Sequence, residues 1–288
     1  MQWHVIRDPR DPELDRLAAL YRLHPLHIED CRHRNQSAKL EADNGYLFVV
    51  LKPARIDEEG ALDTCDLDVF LGPDYLITVE EADWPRVREL IDQVRAGAAA
   101  LRPDQAFYRL ADAVVDGYLS SLDHFDDRID DLEEEVLENP RPEALARIFD
   151  TRRGLALLRR LLVNTRDVAG HLQRSESPLI GRDMWPFLRD VYDHVARNLD
   201  TVEMQRDLLN GALDVYLSSV ANRTNQVMKV LTVLGTVALP AIVISGIYGM
   251  NLEGLPWTGT PYGGWIAVGL MAAGTGLLLF LLRAYRWF

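Results

Sequence analysis

Charge all but vanishes from the C-terminal part of this chain. After Lys229 only Glu253, Arg283 and Arg286 carry any, although the 288 residues as a whole are 26% charged. Cysteine is nearly absent too. Two residues, Cys31 and Cys65, are too few for a disulfide framework and fit a reducing compartment. Residues 1–10 contain no apolar run, so no cleaved signal peptide is expected and residues 1–228 are expected in the cytoplasm. A basic excess is missing as well. The net charge is −13, and three of the 31 bases and one of the 44 acids lie beyond residue 228, so residues 1–228 carry −15. That excludes the basic footprint of a nucleic-acid binder and suits a cationic partner. No nucleophile, base or phosphate loop stands out, so neither an enzyme nor a catalytic cofactor is expected.

What is present divides the chain. Residues 1–102 read as an α+β domain. Short apolar strands are predicted at 47–51, 68–71 and 75–79, with turns at Asp43-Asn44-Gly45, Glu59-Gly60 and Gly72-Pro73-Asp74 and helices near 11–23 and 84–97. Residues 103–182 are helical, with one helix over 106–139, a break at Pro140-Arg141-Pro142, a second helix from 142 to about 173 and a turn over 175–181. Nine Asp or Glu occupy the sixteen positions 123–138, which reads first as a solvated helix face and otherwise as a surface that concentrates or senses cations.

A stalk helix follows over 183–228. Between Pro186 and Pro240 there is no proline, and only Gly211 and Gly235 interrupt. Positions 188, 192, 195, 199, 202, 206, 209, 213, 216, 220, 223 and 227 form a 3,4-spaced seam, and all but Arg206 and Arg223 are apolar or Tyr. Continued to Asn251, such a helix would run roughly 95 Å at about 1.5 Å per residue, too long for a small globular domain.

Its continuation, 229–251, contains the uncharged stretch 230–250, and about 20 residues suffice to cross a bilayer. A connector at 252–261, a second span at 262–283 and a tail at 284–288 complete the chain. Lys229, Arg283 and Arg286 flank the spans while the connector holds no Lys or Arg. The positive-inside rule therefore predicts both termini in the cytoplasm, the connector outside and a plasma (inner) membrane location. Trp257, Tyr262 and Trp265 at one interface, and Tyr285 and Trp287 at the other, suit aromatic belts.

Along the first span Asn225, Met228, Leu231, Gly235, Leu239, Ile242, Gly246 and Gly249 fall on one stripe. Spacing alone permits two readings: small residues at helix contacts, or one wall of a pore made by several copies, with Met228 and Leu231 gating by dewetting. Tyr248-Gly249-Met250-Asn251 closes the span. Asn251 is either a helix cap or an amide able to accept hydrogen bonds from the water shell of an ion such as Mg²⁺, which sheds water reluctantly.

The run Asn225-Gln226-Val227-Met228-Lys229-Val230-Leu231-Thr232, then Pro240, then Ser245-Gly246-Ile247-Tyr248-Gly249-Met250-Asn251, closely resembles the signature of the CorA family of metal-ion transporters. Leu213-Asp214-Val215-Tyr216-Leu217-Ser218-Ser219 is similar to that family's stalk. His24-Pro25-Leu26-His27-Ile28-Glu29-Asp30 and Gly45-Tyr46-Leu47-Phe48 are similar to its cytoplasmic domain. The resemblance implies a funnel-shaped homopentamer: an α/β cytoplasmic domain, a pore-lining stalk helix and a peripheral second span. It assigns Gly249 and Asn251, with Tyr248 and Met250, to a selectivity filter. Asp214 and Asn225 fall at the cytoplasmic end, with Met228 and Leu231 at the constriction. It also implies a regulatory Mg²⁺ between cytoplasmic domains, with Asp190 and Asp83 as acidic partners, whose loss opens the pore.

One departure bears on the ion. Mg²⁺-type members carry a Met-Pro-Glu-Leu-like segment after the signature, whereas here the loop is Leu252-Glu253-Gly254-Leu255-Pro256-Trp257, with Glu253 the only acid at the periplasmic mouth. The expectation is influx of hydrated divalent cations (Mg²⁺, Co²⁺ or Ni²⁺) closed by intracellular Mg²⁺. The alternatives are a Zn²⁺ transporter, with or without proton coupling, and a non-conducting, membrane-anchored metal sensor. His24, His27, Cys31 and His33 match no standard zinc spacing, so no zinc is expected there.

Overall fold

The computed structural model describes residues 1–33, 36–81, 85–97, 101–174, 177–250, 255–257, 259–285 and 287. It forms two units, Met1–Val215 and Tyr216–Phe288.

Among the described residues of the first unit there are seven strands: β1 (Gln2–Ile6), β2 (Lys39–Asp43), β3 (Tyr46–Leu51), β4 (Ala54–Ile56), β5 (Leu62–Thr64), β6 (Leu67–Leu71) and β7 (Tyr75–Glu80). Five of them make one sheet in the order β1-β7-β6-β3-β2, in which only β1 and β7 are parallel; β4 and β5 form a separate hairpin. The strands read from their apolar runs, β3, β6 and β7, are the central three and are buried along their whole length. The sequence reading missed β1, β2, β4 and β5. β1 and β2 are the edges of the main sheet, and β2 reads Lys-Leu-Glu-Ala-Asp with no buried residue, so partner strands rather than composition define them. Asn44 (φ 41°) and Gly45 (φ 83°) make the two-residue turn that sets the β2–β3 register at Asp43 opposite Tyr46.

Side chains alternate across the sheet. Tyr46, Phe48, Val50, Phe70, Ile77 and Val79 pack on one face against α1 (Pro12–Tyr21) and α2 (Pro25–Arg32). α1 begins where the Asp11 carboxylate accepts from Glu13 N at 2.9 Å and stops at Arg22 in the left-handed region. The predicted single helix over 11–23 is therefore followed by a second, opened by His24 and Pro25, that the sequence reading did not anticipate. α3 (Pro85–Ala96), α4 (Pro103–Glu138) and α5 (Pro142–Arg174) follow, and α4 packs against β4, β6 and β7. Tyr118 fixes α4 in place. Its hydroxyl donates to Lys52 O at 2.8 Å and lies 3.3 Å from the Thr165 hydroxyl of α5.

The acidic stretch of α4 is amphipathic. Phe125, Ile129, Leu132 and Val136 are buried, while Asp123, Asp126, Asp127, Asp130, Asp131, Glu134 and Glu138 face solvent. Where α5 crosses Phe125, a Cβ on Gly154 would lie 2.6 Å from the ring, so only glycine permits that approach.

A 3₁₀ turn (Arg182–Met184) leads into α6 (Trp185–Gly249), 65 residues long. Its buried seam in the first unit is Leu188, Val191, Val195, Asn198, Val202, Gln205, Leu209, Ala212. The predicted positions 192, 199, 206 and 213 flank this seam half-buried rather than forming it. The pattern misled because Asn198 and Gln205 are polar. Gln205 is 1% exposed with Nε2 donating to Leu122 O at 2.9 Å, which makes its burial tolerable.

The second unit holds the rest of α6 and α7 (Gly263–Ala284), both long and apolar enough to cross a membrane. Gly274 lies under Pro240, where a Cβ would come within 3.1 Å of the proline, and Thr275 Oγ1 donates to Val237 O at 3.5 Å. Trp257 (φ 64°) brings its carbonyl against Gly263, where a Cβ would sit 2.3 Å away, so glycine is required at the start of α7.

Candidate functional site

Among the described residues, two places could meet an ion. The first is a face of α6 in the second unit. At about 100° per residue the half-buried positions there, Val233, Thr236, Val237, Pro240, Ile244 and Tyr248, on the side where Pro240 and Val237 meet α7, centre about 170° round the helix from the Met228–Leu231–Gly235–Leu239–Ile242–Gly246–Gly249 stripe. The stripe is open. Met228 is 53% exposed, Leu231 69%, Leu239 53% and Ile242 65%, and a Cβ at Gly235, Gly246 or Gly249 would meet nothing within 4 Å. At its N-terminal end it approaches the α7 tail, where Asn225, Met228, Lys229 and Thr232 share a shallow hollow with Tyr285 and Trp287. At the other end Tyr248 donates its hydroxyl to Pro256 O at 3.3 Å, and Met250 N donates to Ile247 O at 3.3 Å beyond the last turn. Asn251 and Glu253 lie outside the described residues, as does Asp83. Asp214 is exposed on α6 near the end of the first unit.

The second place lies in the first unit, between α4 and α6. One ligand atom each from Asp112, Asp190 and His194 lie within 4.8 Å of one another. His194 Nε2 is 3.6 Å from Asp190 Oδ2, and Nδ1 is 3.8 Å from Asp116 Oδ1. Burial lifts the Asp112 carboxyl above the ordinary aspartate range. Asp116 and Asp190 push it the same way, and His194 pulls against them. Tyr108 is raised by burial and then by Asp112. A cation bound between Asp112 and Asp190 would favour the charged form of Asp112 that burial and its neighbouring carboxylates disfavour. Two carboxylates and an imidazole suit Co²⁺, Ni²⁺ or Zn²⁺ as well as a hydrated Mg²⁺.

Of this cluster only Asp190 was foreseen. Asp112 and Asp116 on α4, and Asp190 and His194 on α6, each recur four residues apart, a spacing that puts both members of each pair on one helix face. That was the available signal, but nothing in the sequence says that the two faces meet.

The His/Cys group near the N-terminus has structural roles. His24 Nδ1 accepts from Leu26 N at 3.2 Å and caps α2. His27 stacks on Phe48 (centroids 4.5 Å apart) and bonds Tyr46 Oη at 2.7 Å and Glu41 at 3.0 Å. Cys31 is buried against Asp68, and His33 Nδ1 lies 2.9 Å from Glu29 O.

A soluble α/β unit followed by two helices long and apolar enough to cross a membrane, the first exposed on all sides but the one toward α7, is the architecture of a membrane protein with a large domain outside the bilayer. The sequence profile described as CorA-like Mg²⁺ transporter protein matches residues 1–284. The chain is 37% identical over 282 residues to the cobalt/magnesium transport protein CorA of Thermotoga maritima, covering 96% of this chain and 80% of that protein. It is 30% identical to the putative metal ion transporter YfjQ of Bacillus subtilis, over 94% and 85% of the two chains. Its fold superposes on the CorA magnesium transporter structure from Methanocaldococcus jannaschii with a TM-score of 0.86 at 24% identity, covering 99% of this chain and 91% of that one. The chain belongs to the CorA-like family.

Proposed function

We propose that this protein is a membrane transporter that admits hydrated divalent cations to the cytoplasm through a pore lined by several copies of α6, five in the arrangement its family resemblance implies. The observation that carries the reading is the open stripe of α6, turned away from α7 and running from an amide at Asn225 through apolar and small residues to Gly249. One helix cannot enclose a path, so the stripe becomes a wall only when copies surround an axis. In that assembly Met228 and Leu231 form the apolar constriction, and glycines at 235, 246 and 249 leave room for an ion that keeps its water. Asn251, with Gly249, Met250 and Tyr248, recognises the hydrated ion at the mouth beside Glu253. The termini and Lys229 face the cytoplasm.

A divalent ion falling through about 100 mV gains roughly 4.6 kcal/mol, twice the single-charge figure, which is enough to drive uptake. The Asp112–Asp190–His194 cluster is the sensor that closes the pore when cytoplasmic Mg²⁺ is abundant. It lies between α4 and the pore helix itself, so a cation there holds α6 in one position.

The decisive measurement is dye-reported Mg²⁺ flux into proteoliposomes under an imposed potential. Asn251→Ala is expected to bring uptake down to the leak of empty vesicles, and unchanged, equally selective uptake would end the filter assignment. Asp112→Asn is expected to raise the internal Mg²⁺ needed for closure by about tenfold, the equivalent of one lost charged contact. Closure at the wild-type concentration would remove the cluster from gating. Competition among Mg²⁺, Co²⁺, Ni²⁺ and Zn²⁺ in the same vesicles identifies the ion. Protein that moves none of them at any internal metal level is a sensor and not a transporter.

A further inference from the structure

Away from both of these places, an acid sits in the core of the main sheet. Asp68 of β6 lies opposite Val50 of β3 and Val79 of β7, on the face that α1 and α2 cover. Phe48, Val50, Phe70 and Val79 in that layer are apolar and fully enclosed. Asp68 itself is 3% exposed, and its Oδ1 has no partner among the described residues. An unbonded carboxyl oxygen is costly in such surroundings, and a valine like those beside it would carry no such cost.

The side chain borders a cavity of about 100 Å³, the volume of roughly three waters. The cavity lies between the end of β1, the end of α2 and the shared end of β6 and β7, with Asp8, Asp66 and Glu81 around it. Arg10 and Arg32 border it too, and Arg32 donates to Pro9 O at 3.2 Å and to Asp15 Oδ1 at 2.8 Å. Among the described residues, the charged side chains that act on Asp68 are Asp66, Asp30 and Lys52. The two acids have cations of their own, Asp66 in Lys52 and Asp30 in Lys39 at 2.6 Å. Asp68 is left with the Cys31 thiol as its hydrogen-bond partner. It lacks the cation that both neighbours have.

A directly coordinated metal ion would need several ligand atoms together. Among the described residues only Asp112, Asp190 and His194 bring three of them within 4.8 Å of one another. An ammonium asks for less: one acceptor oxygen, water or further acids for its other N–H groups, and little volume. We infer that this cavity binds a small primary ammonium, its nitrogen donating to Asp68 Oδ1 and its charge favoured by Asp8 and Glu81. Nothing in the inference depends on the ion pathway or on the α4–α6 cluster, and each can fail separately.

The test uses the full chain in nanodiscs of zwitterionic lipid at about pH 8, where Asp68 is ionised and a primary amine, with an ordinary pKa of about 10.4, is charged. Ethylammonium is the probe, and tetramethylammonium is its counterpart of equal charge without N–H groups, both followed by saturation-transfer NMR. Saturable binding of ethylammonium is expected, with tetramethylammonium weaker by about tenfold, the worth of one charge-assisted hydrogen bond. Asp68→Asn, which keeps the shape and removes the charge, is expected to weaken ethylammonium by about tenfold or more while keeping the wild-type circular dichroism. Should that variant not fold, Asp8→Lys alters an exposed residue and sets a like charge at the cavity, with several-fold weaker binding expected. No saturable signal in the wild type, tetramethylammonium that binds as well as ethylammonium, or unchanged affinity in a folded variant would each overturn the assignment. So would displacement of ethylammonium by Co²⁺ in the Asp112→Asn protein, which would mark a metal site instead.

Discussion

The two units bury their apolar residues by different means. In Met1–Val215 the chain covers itself: Phe48, Val69, Phe70, Leu76, Leu110, Leu158 and Val195 are each fully or almost fully enclosed. In Tyr216–Phe288 the most apolar 18-residue stretch of α6 has none of its residues buried, and that of α7 only 6%. The difference is one of solvent. The first unit is a water-soluble core in which each apolar face finds another, and buried polar groups such as Tyr118 and Gln205 Nε2 are tied to backbone carbonyls. The second keeps its apolar surface because its environment is lipid and, on the reading above, further copies of itself. Exposure at Leu231 and at Leu20 thus has different meanings although both figures are close, at 69% and 67%.

The contrast can be broken most directly by truncating one large side chain in each unit. Phe125, 1% exposed between α4 and α5, should cost roughly 3–5 kcal/mol on change to alanine. Leu231→Ala should alter the stability of the dispersed single chain by less than about 1 kcal/mol and register instead as leak in a flux assay. Urea denaturation followed by tryptophan fluorescence gives both values. A loss at Leu231 equal to that at Phe125 would mean that the stripe is packed within one chain, and the pore reading would lose its support.

How far each unit was legible follows from the same contrast. Charge-free runs and the 3,4 spacing of α6 are properties of the residues themselves, so the spans and the long helix could be read directly. The central strands β3, β6 and β7 could be read because burial on both faces demands continuous apolar residues. β1, β2 and the β4–β5 hairpin could not, since an edge strand is defined by what it pairs with. The seam of α6 was read one position out because Asn198 and Gln205 look like surface residues until a buried acceptor such as Leu122 O is supplied. Asp112 and His194 were missed for a related reason: a site between two helices is a property of their packing. The stripe at 225–249 was legible as a pattern, and what the fold added is that α7 turns its back on it.

Glycines sharpen the comparison at smaller energies. Gly154 and Gly274 each permit a close helix crossing, the first in the soluble core and the second between the apolar helices. A Cβ at Gly154 would sit 2.6 Å from the Phe125 ring, whereas one at Gly274 would sit 3.1 Å from Pro240 Cβ. Gly154→Ala should therefore cost about 1–3 kcal/mol, the usual range for overpacking a filled core. Gly274→Ala should cost less, because α7 is covered on one side only and can move by a few tenths of an ångström. Thermal midpoints of the two variants in one detergent would rank them, and a larger loss at Gly274 would show the hairpin to be the more rigid of the two contacts.

The smallest effect expected depends on pH and belongs to the soluble unit alone. Asp68 on β6 is 3% exposed, its Oδ1 has no partner, and burial, with Asp66 next in importance, raises its pKa to about 7. The other groups facing it are Cys31 of α2, whose thiol hydrogen bond lowers it, Asp30, which raises it, and Lys52, which lowers it. An unfolded aspartate titrates near 3.9, so between about 4 and about 7 the folded state holds the extra proton. The contribution of Asp68 to stability is then fully present below about pH 4 and is lost as pH rises towards 7. Asp68→Asn is neutral throughout and can still accept from Cys31. Its thermal midpoint relative to wild type should rise steadily from pH 4 to pH 7 and stay level above. A constant difference across that window would mean that Asp68 is ionised in the fold, with Lys52 and the Cys31 thiol outweighing burial and the neighbouring carboxylates.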